Sequence, residues 1–295
     1  MKFGAVLPTN EIGNDTGAVK AWAQAAEALG YDRIIAYDHV LGATHAHREP
    51  PLNGPYTEHD PFREPMVLFG YLAGTTSSVE LMTGVLVLPQ RQTALVAKQA
   101  TEIDLLSGGR FVLGVGSGWN WVEYESLNEN FGTRGRRLGE QVELIRRFWS
   151  EPLVDASMPH HRIDRAGILP LPDREIPIWF GGSSDAALKR AASLGDGFYF
   201  VASGTRTLEN LDKLRGHLAE RGRSPDSFPV AGQVAAVAGP EVCVKEATRW
   251  RDLGGSHIFV STMRAPWLTV PTTSCATVDE HIDLMGSTLR ALRTV

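Results

Sequence analysis

Short apolar runs alternate along this chain with stretches whose apolar positions recur every three or four residues. The runs predict strands at residues 2–7, 33–37, 80–88, 110–115, 176–180, 197–201, 229–238 and 257–261. The intervening periods predict helices at 16–29, 65–77, 94–106, 135–149, 184–194, 207–221 and 240–253, with a last helix at 278–292. Helix ends agree with the pattern. Asp15 or Thr16 can cap the first helix and Gly30 can end it, while Ser107-Gly108-Gly109 and Leu194-Gly195-Asp196-Gly197 stop two others just before strands. In the 94–106 helix, Val96, Ala97, Ala100 and Ile103 share the face expected against a sheet, and Leu95, Gln99, Glu102 and Leu106 share the other.

Strand–helix alternation of this length implies a parallel sheet, and eight repeats favour closure into a (β/α)₈ TIM barrel over an open doubly wound sheet. The expectation is one barrel domain over residues 1–295. Two segments exceed the minimal repeat: 41–64 after the second strand, rich in Pro, His and Gly, and 151–174 before the fifth, with four prolines. The first lies where barrel active sites are built and reads as a lid or binding loop. The second reads as a covering excursion with room for a short hairpin.

Composition narrows the function classes. A net charge of −5 without a basic stripe argues against nucleic acid. No apolar run approaches membrane-spanning length, and the opening Met1–Pro8 stretch is too brief for a signal peptide. Cys243 and Cys275 form neither a metal spacing nor a disulfide framework, so a reducing cytoplasm is the expected location.

Candidate chemistry gathers at strand ends. Gly114-Val115-Gly116-Ser117-Gly118-Trp119 places three glycines in five residues, hard to justify by packing alone. Gly181-Gly182-Ser183-Ser184 opens a helix, where free N–H groups and hydroxyls suit a phosphate; an ordinary serine cap is the alternative. Asp38-His39 follows the second strand and offers an acid/base pair or merely a cap and a surface His. Gly84 within the third strand marks a bulge or tight packing, and Arg91 at its end can meet a cofactor anion or a neighbouring carboxylate. Trp119, Trp121 and Tyr124 can wall a ring-shaped ligand or form a helix face. His45 and His47 would serve a metal-dependent barrel hydrolase, but they lie far out in a loop without a third ligand at strand-end spacing, so no metal is expected.

Several blocks together resemble the bacterial luciferase-like monooxygenase family, and within it the branch using the deazaflavin coenzyme F420, common in actinobacteria. They are Asp38-His39, the 83–89 segment, the 105–110 segment, Gly114 through Trp119, and Gly181-Gly182 with Gly195-Asp196-Gly197. The resemblance implies a (β/α)₈ barrel and hydride transfer between the deazaflavin and a small organic substrate. It implies His39 as acid/base, Asp38 against the cofactor, a non-proline cis peptide at Gly84-Val85 behind the ring, Ser117-Gly118 along the cofactor tail, and Gly181, Gly182 and Ser183 as the phosphate cradle. The sugar-phosphate dehydrogenase branch carries a catalytic Glu where Trp119 stands, so a more apolar substrate is expected, with Trp119 and Tyr56 in its pocket beside Phe62 and Trp267. An FMN-dependent monooxygenase on the same barrel, or a cofactor carrier without turnover, are the rival readings. Kinship also implies a homodimer.

Overall fold

The computed structural model describes residues 1–201, 205–266 and 268–295, with Thr205 as backbone only; Trp267, expected in the pocket, lies outside the described residues. In chain order the elements are β1 (Lys2–Val6), α1 (Thr16–Leu29), β2 (Arg33–Ala36), α2 (Pro65–Ala73), β3 (Glu80–Thr83), β4 (Leu86–Val87), α3 (Thr93–Ser107), β5 (Phe111–Gly116), α4 (Trp121–Ser126) and α5 (Arg134–Ser150). They continue with β6 (Val154–Met158), β7 (His161–Ala166), β8 (Ile178–Gly181), α6 (Asp185–Leu194), β9 (Gly197–Tyr199), α7 (Thr205–Ala219), β10 (Val230–Ala235), α8 (Pro240–Asp252), β11 (His257–Ser261) and α9 (Val278–Leu292).

The parallel sheet runs β3-β2-β1-β11-β10-β9-β8-β5-β4, and β3 also pairs with β5, which closes the barrel. The expected third strand is therefore one staved segment in two pieces, β3 and β4. The break falls at Gly84-Val85, whose peptide bond is cis, as the resemblance implied. Both pieces pair with β5, Leu81 and Met82 at its start and Leu86 and Val87 at its end.

Helix ends follow the local chemistry. Asp15 caps α1 by accepting from the Gly17 amide at 2.7 Å, and Gly30 closes it in the left-handed conformation. On α3, Val96, Ala97, Ala100 and Ile103 are buried while Leu95 and Leu106 are exposed, so the apolar period did select the face packed on the barrel. The 151–174 insertion contains the antiparallel hairpin β6–β7. Its tip docks on the outer helices. His161 bridges the Glu140 carboxylate of α5 (3.1 Å) and the Thr93 hydroxyl of α3 (2.7 Å).

The glycines of β5 have a packing role that the sequence reading discounted. A Cβ on Gly114 would lie 1.9 Å from the Thr83 carbonyl oxygen, and Thr83 Oγ1 in turn donates to the Gly114 carbonyl at 2.6 Å. The two strands touch backbone to backbone, so the obstacle cannot rotate away. Gly114→Ala should cost at least about 1–3 kcal/mol by overpacking. Urea denaturation would show it as a lowered midpoint, and an unchanged midpoint would contradict this contact.

Candidate active site

In a parallel barrel all strands end at the same mouth. His39 follows β2, the Ser117-Gly118 turn follows β5, and Gly182-Ser183 follows β8. The imidazole and both glycine turns therefore share one mouth, the condition on which the sequence reading depended.

His39 is held rather than loose. Its Nδ1 lies 3.1 Å from Glu123 Oε2, and the Glu123 side chain is 1% exposed. The other oxygen, Oε1, accepts from the amides of Val40 (2.7 Å) and Leu41 (3.0 Å). Burial alone would raise the Glu123 pKa. The His39 bond, the Leu41 amide and Gln90 outweigh it and bring the carboxyl below its ordinary value. An ionised carboxylate only accepts, so Nδ1 is the donor in this pair and Nε2 is the nitrogen left for other partners. Nε2 has no partner among the described residues and keeps contact with solvent. The site thus presents one protonatable atom at the mouth, with its orientation fixed from behind.

Glu123 escaped the sequence reading. The signal present was Asn120-x-x-Glu123, the spacing of a capping box. Asn120 does cap α4, accepting from the Val122 and Glu123 amides. The Glu123 carboxylate, however, turns to His39 rather than back to the cap. The carboxylate paired with His39 thus comes from Glu123, four residues after Trp119.

Aromatic rings close the space around His39. Phe62 (4.8 Å), Tyr56 (5.4 Å) and Trp119 (5.6 Å) meet it edge to face. Tyr56 and Phe62 come from the 41–64 insertion, which is therefore the loop over the site. Trp121 and Tyr124 take the other reading left open. Tyr124 is buried against Phe131 and donates to the Ser117 carbonyl at 2.7 Å, and Trp121 lies under Arg48.

Asp38 sits behind the site rather than in it. Its side chain is fully buried. Arg91 donates to Oδ1 at 2.7 Å and the Val87 amide to Oδ2 at 2.8 Å. Burial raises the Asp38 carboxyl against these bonds, while the Asp38 and Glu64 carboxylates more than offset burial at Arg91 and hold its guanidinium charged. Arg91 also donates to Glu64 Oε1 at 2.7 Å, and so meets neighbouring carboxylates. The three groups tie the end of β2, the β4 segment and the cap of α2 together.

A glycine-lined face lies on the neighbouring strands. Val85, on the cis bond, projects between β5 and β8. A Cβ on Gly116 would lie 2.5 Å and one on Gly181 2.9 Å from its methyl groups. Glycine at both positions makes room for the Val85 methyl groups and leaves this face of the strands without side chains of its own. Gly118 (φ +61°) borders Val87, and Gly182 has φ +137°, a conformation reserved for glycine. Ser184 caps α6 through the Ala187 amide, leaving the other first-turn amides without helical partners. Asp185 in that turn pairs with Lys189 and His217, both at 2.8 Å, which offsets its charge against an incoming anion. These features fit a ring-and-phosphate cofactor: a glycine seat, an amide cradle and a single imidazole at one mouth.

His45 and His47 do not form a metal centre. His45 Nε2 lies 3.0 Å from the Tyr56 carbonyl, His47 is exposed, and no group of three or more His, Cys, Asp or Glu able to hold a metal occurs among the described residues.

The family model for luciferase-like monooxygenases matches residues 1–272. The chain belongs to this family. It is therefore an F420- or flavin-dependent oxidoreductase. Among its relatives is an uncharacterised protein of Mycobacterium bovis, 31% identical over 256 residues, covering 85% of this chain and 86% of the relative. A pyrimidine monooxygenase of Stutzerimonas stutzeri is 29% identical over 228 residues, 74% of this chain and 58% of its own length. Among solved structures, an F420-dependent secondary alcohol dehydrogenase bound to an F420–acetone adduct superposes with a TM-score of 0.78 at 18% identity, covering 99% of both chains. That likeness is one of fold. No helix among the described residues is long and apolar enough to cross a membrane.

Proposed function

We propose that this protein is an F420-dependent oxidoreductase acting on a small organic substrate, with His39 as its acid/base residue. The observation that carries this reading is the His39–Glu123 pair: Nδ1 anchored at 3.1 Å to a buried carboxylate, Nε2 free at the mouth that also holds the glycine seat. When bound, reduced deazaflavin would supply a hydride and the oxidised form would accept one.

The chain's own residues divide the remaining work. Gly116, Gly181 and the Val85 bulge would hold the ring flat, Ser117-Gly118 would run beside its tail, and the amides of Gly182 and Ser183 would receive its phosphate. Tyr56, Phe62 and Trp119 wall the imidazole and leave Nε2 open to the mouth. His39 Nε2 gives a proton to a substrate oxygen during reduction or takes one during oxidation. Glu123 stabilises the imidazolium in either direction, because its ionised carboxylate already faces Nδ1. Asp38 keeps the end of β2 in place.

An FMN-dependent monooxygenase is the second reading, favoured by the similarity to the pyrimidine monooxygenase. Fluorescence titration of the purified protein with F420 and with FMN separates the two; tight FMN binding without F420 binding would overturn the first. The cradle has its own test. Asp at Gly182 would be strained by the backbone there, whereas Ser183 is exposed. Ser183→Asp should weaken cofactor binding by about tenfold or more, through like charge at the helix start. Equal affinity would remove the cradle from α6.

A further inference from the structure

Once His39, Glu123 and the glycine seat are assigned, three polar side chains of the upper barrel layer are left over. Tyr37 follows β2, Tyr199 ends β9 and Gln233 lies midway along β10. Tyr37 donates its hydroxyl to Gln233 Oε1 at 2.8 Å, and Tyr199 donates to the same oxygen. Burial raises the Tyr37 phenol and pushes that of Tyr199 well up, so both stay protonated and act as donors. An amide oxygen has two lone pairs, and both are taken. Turning the amide over would leave a buried hydroxyl hydrogen without an acceptor, which fixes the orientation. Gln233 Nε2 is then the unspent donor. It has no partner among the described residues and keeps contact with solvent.

This donor lies beside the proposed reaction space. A Cβ on Gly84, at the cis bond, would be 3.5 Å from the Tyr199 ring. Tyr56 and Phe62, which edge His39, pack on the same cluster as Tyr37 and Tyr199. No arginine or lysine hydrogen-bonds to Tyr37, Tyr199 or Gln233 among the described residues: Arg91 is committed to Asp38 and Glu64, Arg33 to Glu80 at the opposite end of the barrel, and Arg63, next to Phe62 in the loop, donates to the Gly13 carbonyl. An organic anion would meet two phenols and an amide in this layer and no cation bonded to them, whereas a neutral oxygen would meet a fixed N–H.

We propose that Gln233 Nε2 is a specificity-determining donor that holds the substrate's oxygen, and that the substrate is a neutral carbonyl or hydroxyl compound rather than a carboxylate. This rests on the F420-dependent reading for its meaning, but its test does not need the cofactor. Ligand-observed NMR on the full chain would compare cyclohexanone with cyclohexanecarboxylate, a neutral and an anionic probe on the same ring. The ketone should bind, and the carboxylate about tenfold or more weaker. Gln233→Glu keeps an acceptor for both tyrosines and removes the donor; Gln233→Leu removes both. Each should weaken the ketone about tenfold, the loss of roughly one hydrogen bond. Circular dichroism checks that they fold, and F420 titration of both variants should match the wild type. Undetectable ketone binding, equal binding in Gln233→Glu, or a carboxylate bound as tightly as the ketone would each overturn the proposal. A wild type that binds the ketone as expected but not F420 would overturn the F420-dependent reading and leave the donor role of Gln233 standing.

Discussion

His39→Ala should lower turnover by about 10²–10⁴-fold and leave cofactor affinity unchanged, the pattern expected when a proton-transfer group is removed but the binding surface is kept. The expectation follows from geometry. His39 offers one free nitrogen, and its contacts are a carboxylate and three rings rather than the glycine seat. Cofactor absorbance, followed with a panel of ketones and alcohols, measures turnover, and fluorescence titration measures binding. Unchanged turnover would remove His39 from the mechanism. Glu123→Gln should show a smaller loss, because the side-chain shape survives while the charge facing the imidazolium disappears. It should also change the pH dependence of stability. The folded pKa of Glu123 is lowered from an ordinary value of 4.5. Its ionisation therefore stabilises the fold fully above that value, and the contribution is lost as pH falls through the lower folded value. The difference in thermal stability between wild type and Glu123→Gln should be constant near neutrality and shrink below about pH 4.5. A difference that grows in acid would contradict the bonding assigned to Glu123.

The barrel was legible because its signals are local. Period-two and period-3.6 patterns, Gly30 after α1 and Gly108 after α3 all act within a few residues. What escaped were pairs brought together only by closure of the sheet. Glu123 is 84 positions from His39, and Arg91 is 53 from Asp38. Neither spacing carries a pattern, and Glu123 was further disguised by its place in a capping-box spacing. Gln233 was hidden for the same reason, since a glutamine inside a strand reads as an outward-facing residue until the barrel turns it toward two tyrosines. The β5 glycines show the converse. Their density was rightly unusual, but Gly114 answers to the Thr83 carbonyl and Gly116 to Val85, so part of the signal came from strand packing around the cis bond. Kinship, rather than pattern, located that bond.

Asp38→Ala should destabilise the protein by about 3–5 kcal/mol, nearer the lower figure, because it strands a mostly buried guanidinium that keeps Glu64 as a partner. The Arg91 side chain is 14% exposed, and the Val87 amide would lose its acceptor as well. The loss should appear in urea denaturation without any cofactor present. That is the point on which two roles for Asp38 divide. A residue whose main task is to touch the cofactor would leave the cofactor-free fold nearly unaffected and lower affinity directly. A residue spent on Arg91 and Val87 would lower stability first and affect the site only through displacement of His39 beside it. The double variant Asp38→Leu/Arg91→Met sharpens the division, since removing both charges together leaves no stranded ion. It should recover a substantial part of the lost stability, as buried pairs replaced by apolar groups commonly do. Additive losses in the double variant would mean that the two side chains act independently, and the tie between β2 and β4 would have to be sought elsewhere.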